Sequence, residues 1–333
     1  MKDLLFLLFL QIIVSCNSSN NINDMVQSTL FFIPADTLRT FSGNGSFAVV
    51  GDTVVISDYY YDYNDGKEFS LFKLNVKGNK RVLTHRNNGT AEISTDKNKI
   101  QTLWRSYNSQ YEEYDLKELA SYKDSCLYKL SFIHTDHIVK TKDHFVGSDI
   151  VGSPHILNLY DKQGKLQQSI DPFNGTLDKL SEIGQKYAVG QGYLAYNSED
   201  DYVVYATVYT GEIFIYKIED NKLRLIKHIE IGYGLPENYT NFKVRNNTMM
   251  YAKDICTSRC DTYILIDNKA AGDNSKISYI LRINKQGDVY VMKCYQSLLR
   301  IDVEKQKLYA LAKGEDGKNV LVVANLDRSN TAN

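Results

Sequence analysis

Tyrosines and carboxylates crowd into three short segments of this chain. The densest is Asp58-Tyr59-Tyr60-Tyr61-Asp62-Tyr63-Asn64-Asp65. A second, Gly232-Tyr233-Gly-Leu-Pro-Glu237-Asn-Tyr239, carries two aromatics and an acid. Phe173, Tyr187 and Tyr193 lie in or beside a third, Asp171 to Gly192. A tyrosine ring gives apolar area with a hydroxyl at its tip, so such rings beside carboxylates suit sugars or peptide partners. The same rings also suit packing one structural unit on the next, and both readings stay open. Cys256-Thr-Ser-Arg-Cys260 could staple a tight hairpin, because strand residues flanking a three-residue loop lie near the Cα separation of a disulfide. Free thiols are the alternative. Zinc would want a second short-spaced pair, which is missing. Four of the six histidines fall between His134 and His155. His134, Asp136 and His144 could make a metal site, but ordinary strand and loop positions account for them, and no metal or cofactor is expected. Glu112-Glu113 point to opposite faces of a strand and read as solvated charges. No Gly-x-Ser-x-Gly elbow, HExxH, P-loop or Gly-x-Gly-x-x-Gly fingerprint occurs, so no catalytic residue is assigned.

Those residues need a scaffold, and composition and pattern describe one. The 333 residues are 43% hydrophobic and 24% charged, which excludes wholesale disorder. Lys plus Arg is 39 against 40 for Asp plus Glu, a balance that argues against a nucleic-acid partner. The 25 tyrosines favour strands. Apolar and polar residues alternate over five to eight positions, as in Ser46–Val50, Thr53–Ser57, Tyr202–Tyr209 and Glu212–Ile218. The one helical pattern is Thr176 to Val189. A strand ending in an Asn/Asp–Gly turn recurs at Leu74–Asn79, Tyr160–Lys165 and Ile283–Asp288, with weaker copies starting at Tyr114, Ile218 and Ala324. Asn or Asp there can bond the backbone two residues on, and Gly supplies the positive φ of the turn. Anchors at 74, 114, 160, 218, 283 and 324 are 40, 46, 58, 65 and 41 residues apart. A four-stranded propeller blade takes about 40 to 50 residues, so six anchors predict a six-bladed β-propeller. The fourth blade, for example, threads as Tyr193–Asn197, Tyr202–Tyr209, Glu212–Ile218 and Leu223–Ile231. The sixth offers only Leu298–Val303, Lys307–Lys313 and Val320–Leu326, so an N-terminal strand, Ser28–Pro34 or close to it, is expected to complete it and close the ring. The connections at 171–192 and 232–248 then stand side by side on one face, with the Tyr59–Tyr63 loop across the ring.

The N-terminus resembles a bacterial lipoprotein signal. Met1-Lys2-Asp3 precedes an apolar run, Leu4 to Val14, that is too short to span a bilayer and ends at Val14-Ser15-Cys16. The resemblance implies cleavage before Cys16, lipid on its thiol, and a tether at 16–27 ahead of a single propeller domain at 28–333. Asn17, in place of Asp, implies outer-membrane sorting, and the nearly acid-free tether favours the periplasmic side over the cell surface. With the blades behind it, the chain resembles the TolB-like six-bladed propeller lipoproteins of Bacteroidetes. The closest part is Ser278-Tyr-Ile-Leu-Arg-Ile-Asn-Lys-Gln-Gly-Asp288, Leu298-Leu-Arg-Ile-Asp302 and Lys307-Leu-Tyr-Ala-Leu311, although Arg282-Ile283-Asn284 departs from the family's aromatic-acidic strand end. Members of that family are mostly without assigned activity, and the tyrosine-rich loops and missing catalytic motifs lead to the expectation of a monomeric, non-enzymatic module that binds a protein or glycan of the envelope. The alternatives are a lyase or metal-dependent hydrolase at the central channel, or an assembly factor of an envelope complex.

Overall fold

The computed structural model describes residues 22–35, 40–41, 46–57, 68–74, 79–83, 90–96, 98–105, 108–121, 126–133, 135–148, 156–174, 189–232, 249–258, 261–270, 275–284, 286–314 and 319–326. They form an all-β propeller with four-stranded blades. After a 3-10 turn at Ile22–Met25 come three short strands, β1 (Val26–Leu30), β2 (Ile33–Pro34) and β3 (Thr40–Phe41). Five antiparallel blades follow, each built from consecutive strands. The first is β4 (Ser46–Val50), β5 (Thr53–Ser57), β6 (Glu68–Lys73) and β7 (Asn79–Leu83). The second is β8 (Thr90–Asp96), β9 (Lys99–Arg105), β10 (Asn108–Asp115) and β11 (Cys126–Ile133), with a short helix α1 (Leu116–Ala120) before its last strand. The third is β12 (His137–Lys140), β13 (His144–Ser148), β14 (Leu157–Asp161) and β15 (Leu166–Ile170). The fourth is β16 (Gly192–Asn197), β17 (Tyr202–Thr207), β18 (Glu212–Glu219) and β19 (Lys222–Glu230). The fifth is β20 (Met249–Thr257), β21 (Thr262–Ala270), β22 (Ser278–Ile283) and β23 (Val289–Cys294). The last sheet has three long strands, β24 (Leu298–Glu304), β25 (Lys307–Lys313) and β26 (Asn319–Asn325).

The last sheet therefore departs from the expected sixth four-stranded blade, because the segment meant to complete it divides. Val26–Leu30 lies parallel on the outer edge of β23, in the fifth blade, with Leu30 opposite Cys294. Only Ile33–Pro34 reaches β26, opposite Val323 and Val322, and Thr40–Phe41 pairs further along the same strand. Phe31 and Phe32 bridge from one sheet to the next between these two pairings, which is why one strand cannot serve a single partner.

The anchor turns have the predicted chemistry. Asp161 Oδ1 accepts from Gln163 N (3.0 Å) and Lys165 N (2.9 Å), and Gly164 sits at φ +79°. Asn284 Oδ1 does the same for Gln286 and Asp288, both at 2.9 Å, with Gly287 at φ +75°. The core is divided into clusters between the faces of neighbouring sheets. Val204, Ile213 and Ile215 meet Ile264, Ile266 and Leu281 across the fourth and fifth blades. Phe47, Val49, Val54 and Ile56 of the first blade meet Tyr309, Leu311 and Leu321 of the last sheet. Every side chain of β17 is buried, whereas β19 is largely exposed. Strands flanked by sheets on both faces thus read as continuous apolar runs. The helical pattern at Thr176–Val189 lies outside the described residues, apart from Val189.

Candidate functional site

Two groups of side chains have chemistry within reach. The first lies at one end of the fourth blade. The β17–β18 turn closes through Gly211, which holds φ +71°. Thr210 Oγ1 donates to Thr207 Oγ1 (2.7 Å), which accepts the Glu212 amide (2.8 Å) and donates to the Glu212 carbonyl (3.0 Å). This buried clasp fixes the start of β18. Glu212 is directly opposite Glu230, and Phe214 is opposite His228. The His228 ring stacks on Phe214 at 4.5 Å and 5°. Its Nε2 lies 3.5 Å from Glu212 Oε1, while Glu212 Oε2 is buried with no hydrogen-bond partner. The carboxylates of Glu212 and Glu230 and the His228 ring bring their ligand atoms within 4.8 Å of one another. The Glu212 carboxylate beside it raises the His228 pKa, burial opposes that, and the charge of Glu230 adds to the rise.

The second group rings the first strands of the sheets. Asp254 Oδ2 of β20 accepts the Ile301 amide of β24 (2.8 Å), and Asp302 Oδ2 of β24 accepts the Val49 amide of β4 (2.6 Å). Ser46 Oγ accepts the Ile93 amide of β8 (3.0 Å). His137 Nδ1 of β12 meets Glu92 of β8 at 2.9 Å, and its ring lies 5.0 Å from Tyr193 of β16. Thr257 Oγ1 of β20 donates to the Tyr196 carbonyl of β16 (3.1 Å). Side chains of one first strand thus hold the backbone or side chain of the next. Burial raises Asp254 to about 6, against the opposing pull of Arg300. Burial also raises Asp302 to about 7, with Asp254 and Glu304 adding to the rise.

The sequence-predicted residues fare unevenly. Phe173 is buried, edge-on to Phe214 at 5.5 Å, so it packs the interior and offers no binding surface. Tyr193 is half-buried beside His137. Cys16, Tyr59, Tyr60, Tyr61, Asp62, Tyr63, Tyr187, Tyr233, Glu237, Tyr239 and Cys260 lie outside the described residues. Cys256 is a free thiol, against the expected pairing with Cys260. The β20–β21 ladder runs on to Thr257 and Thr262, so Tyr263 faces Cys256, whose side chain packs against the core beneath the last sheet. His144 Nε2 lies 2.9 Å from Asn221 Oδ1, and His134 lies outside the described residues. Glu112 and Glu113 are both buried, contrary to the solvated reading. Glu112 pairs with Lys129 (2.8 Å), and Glu113 pairs with Lys140 (2.8 Å) and accepts from Tyr111 Oη (2.8 Å). The Glu212–His228–Glu230 group was missed because its members are 16 and 18 residues apart, and only the hairpin register brings them together.

Comparison with solved structures now has a fold to compare. The chain shares its β-propeller fold with a solved Bacteroides protein. A Bacteroides fragilis protein thought to be exported matches it with a TM-score of 0.54 at 10% identity, over 90% of this chain and 95% of that one. A Lactobacillus plantarum protein matches at TM-score 0.49 and 12% identity, over 89% of this chain and 95% of that one. A Bacteroides caccae protein of unknown function matches at TM-score 0.45 and 13% identity, over 75% and 85%. At 10% identity the Bacteroides fragilis match speaks for the fold alone. No family model and no curated protein matches the chain.

Proposed function

We propose that the chain is a binding module of the bacterial cell envelope that engages a protein partner and carries out no chemistry of its own. The reading places it as a TolB-like lipoprotein, lipidated at Cys16, monomeric, and facing the periplasm from the outer membrane. Its ring has six blades, the last completed by the N-terminal segment along β26. The Asp302–Val49 bond and the cluster joining Phe47 to Tyr309 support the ring closure. The signal-like N-terminus supports the address, and the Bacteroides fragilis fold neighbour, itself thought to be exported, agrees with it. Among the described residues no helix is long and apolar enough to cross a membrane.

The observation that carries the binding reading is a set of apolar side chains on successive outer strands. Leu127 of β11, Leu166 of β15, and Leu225 and Ile226 of β19 are each about half exposed, at 50–52%. Two of them are thrown outward by bulges. Tyr114 opposes Cys126 and Glu113 opposes Tyr128, which leaves Leu127 as the extra residue. Tyr216 opposes Leu225 and Ile215 opposes Lys227, which leaves Ile226. A bulge re-aims a side chain where a strand edge faces outward. Single exposed leucines need no explanation, but a recurring set on neighbouring outer strands marks a partner surface. The carboxylates Asp254 and Asp302 on the first strands are engaged in bonds between sheets. That use favours binding over catalysis at the channel.

A photo-crosslinking residue placed at Leu127, Leu166 and Leu225 tests this in intact envelopes. The expected result is one discrete protein adduct at these positions that Ile226→Glu abolishes without lowering the melting temperature. No adduct, combined with glycan binding that is lost on replacing Tyr60, Tyr61 and Tyr239 by Ala, would overturn the side-wall reading in favour of a glycan on the loop face.

A further inference from the structure

We infer that Glu212, His228 and Glu230 form a binding site for a divalent transition ion of the zinc class. The inference is independent of the partner-binding reading. Three observations converge on it. The first is the donor set, one imidazole and two carboxylates with their ligand atoms within 4.8 Å of one another. One imidazole and two carboxylates suit zinc, and three protein ligands leave a fourth position for water.

The second observation is distance. Glu212 Oε1 and His228 Nε2 are 3.5 Å apart, too long for a good hydrogen bond. Two ligands at zinc bond lengths of about 2.1 Å in tetrahedral array stand about 3.4 Å from each other. The pair is therefore already spaced as two corners of a coordination tetrahedron.

The third is the unpartnered oxygen. Glu212 is 6% exposed, and its Oε2 is buried with no hydrogen-bond partner. It also faces Glu230 directly across the β18–β19 ladder. Like charges directly opposite on an antiparallel pair are unfavourable, and a buried acceptor with no donor is more so. A cation held between the two carboxylates offsets the opposed charges beside this under-bonded carboxylate. The remaining geometry fixes the ligands. The Thr207–Thr210 clasp holds the Glu212 backbone, and the Phe214 ring, itself edged by Phe173, sets the plane of the imidazole. The site lies where β18 begins and β19 ends, beside the β17–β18 turn.

Zinc chloride titrated into the untagged full-length protein by calorimetry, with cobalt(II) absorption in parallel, tests the inference. The expected result is one ion per chain, with the visible bands of four-coordinate cobalt and no thiolate charge-transfer band. Affinity should fall at least about 10-fold in Glu212→Gln and in His228→Ala, and stay unchanged in His144→Ala. Glu212→Gln keeps the buried shape and removes the opposed charges, so without metal its melting temperature should equal or exceed that of the parent. Absence of binding to the parent, binding equal in all variants, or a cobalt spectrum dominated by thiolate would overturn the assignment.

Discussion

Asp302 is a carboxylate held where its charge is least welcome. It is buried in β24, accepts the Val49 amide at 2.6 Å, and is raised to about 7 by burial, with Asp254 and Glu304 adding to the effect. An acid whose pKa is higher folded than unfolded takes up a proton on folding. Its contribution is fully present below about pH 4, the unfolded value, and is lost as pH rises through about 7. Asp302→Asn keeps an acceptor for Val49 and cannot ionise. In urea unfolding the variant should therefore show a flatter stability profile between pH 4.5 and 8 than the parent, and at pH 8 it should be no less stable. An unchanged slope would place the titration elsewhere. Glu113 is the opposite case. Burial pushes its pKa up, but Lys140, Tyr111 and Lys99 together hold it below the ordinary value. Lys140→Met removes its closest cation, at 2.8 Å, and leaves the buried charge only Tyr111 and the more distant Lys99. The variant should lose about 3 kcal/mol in the same assay at pH 7.

At the scale of the element, turns and bulges decide where side chains point. Gly211 sits at φ +71°, and a Cβ there would meet Gly232 Cα at 2.7 Å. Gly51 holds φ +61° with open space around it. Gly51→Ala therefore meets only the left-handed penalty of about 1 kcal/mol, whereas Gly211→Ala must also push backbone aside. The second should be the more destabilising by about 2 kcal/mol or more and should weaken zinc binding, because the turn seats Glu212. Equal losses would show that the turn yields freely. These elements were legible to different depths. The Asn/Asp–Gly turns announced themselves because their chemistry is local: Asp161 and Asn284 bond amides two and four residues on. Strand alternation was legible for the same reason, and the predicted strands of the fourth blade match β16 to β19 within about two residues. The bulges at Leu127 and Ile226 were not legible, since they are defined by what the neighbouring strand does. Glu212 and Glu230 looked like ordinary strand charges until register set them face to face. The burial of Glu112 and Glu113 followed from Lys129 and Lys140, which reach them from other strands.

The whole molecule depends on a seam that no single sheet owns. The N-terminal segment leaves the fifth blade and enters the last sheet within a few residues. Ile22 is 1% exposed among Ile264, Ile266 and Leu281, the Tyr279 hydroxyl donates to the Asn23 side chain, and Gln27 Oε1 accepts the Val291 amide at 3.2 Å. β1 then covers the edge of β23, and β2 and β3 run along β26. Terminal segments usually fray unless tied down, and residues 22–34 are tied by a buried side chain and by backbone pairing on two sheets. A chain beginning at residue 36 would uncover the edges of β23 and part of β26 and discard Ile22, Val26 and Leu30. Burial of those three side chains alone is worth about 4 kcal/mol. Compared with a chain beginning at residue 22, it should unfold at lower urea, with a shallower transition, and scatter light at concentrations where the longer chain stays clear, because open strand edges pair with one another. Ile22→Ala separates the two effects. It empties a core position and leaves the backbone pairing intact, so it should lower stability by about 2–4 kcal/mol without aggregation. Matching midpoints for the chains beginning at 22 and 36 would show that the propeller stands without its N-terminal seam, and the ring would then rest on the Asp302–Val49 bond and the Phe47–Tyr309 cluster alone.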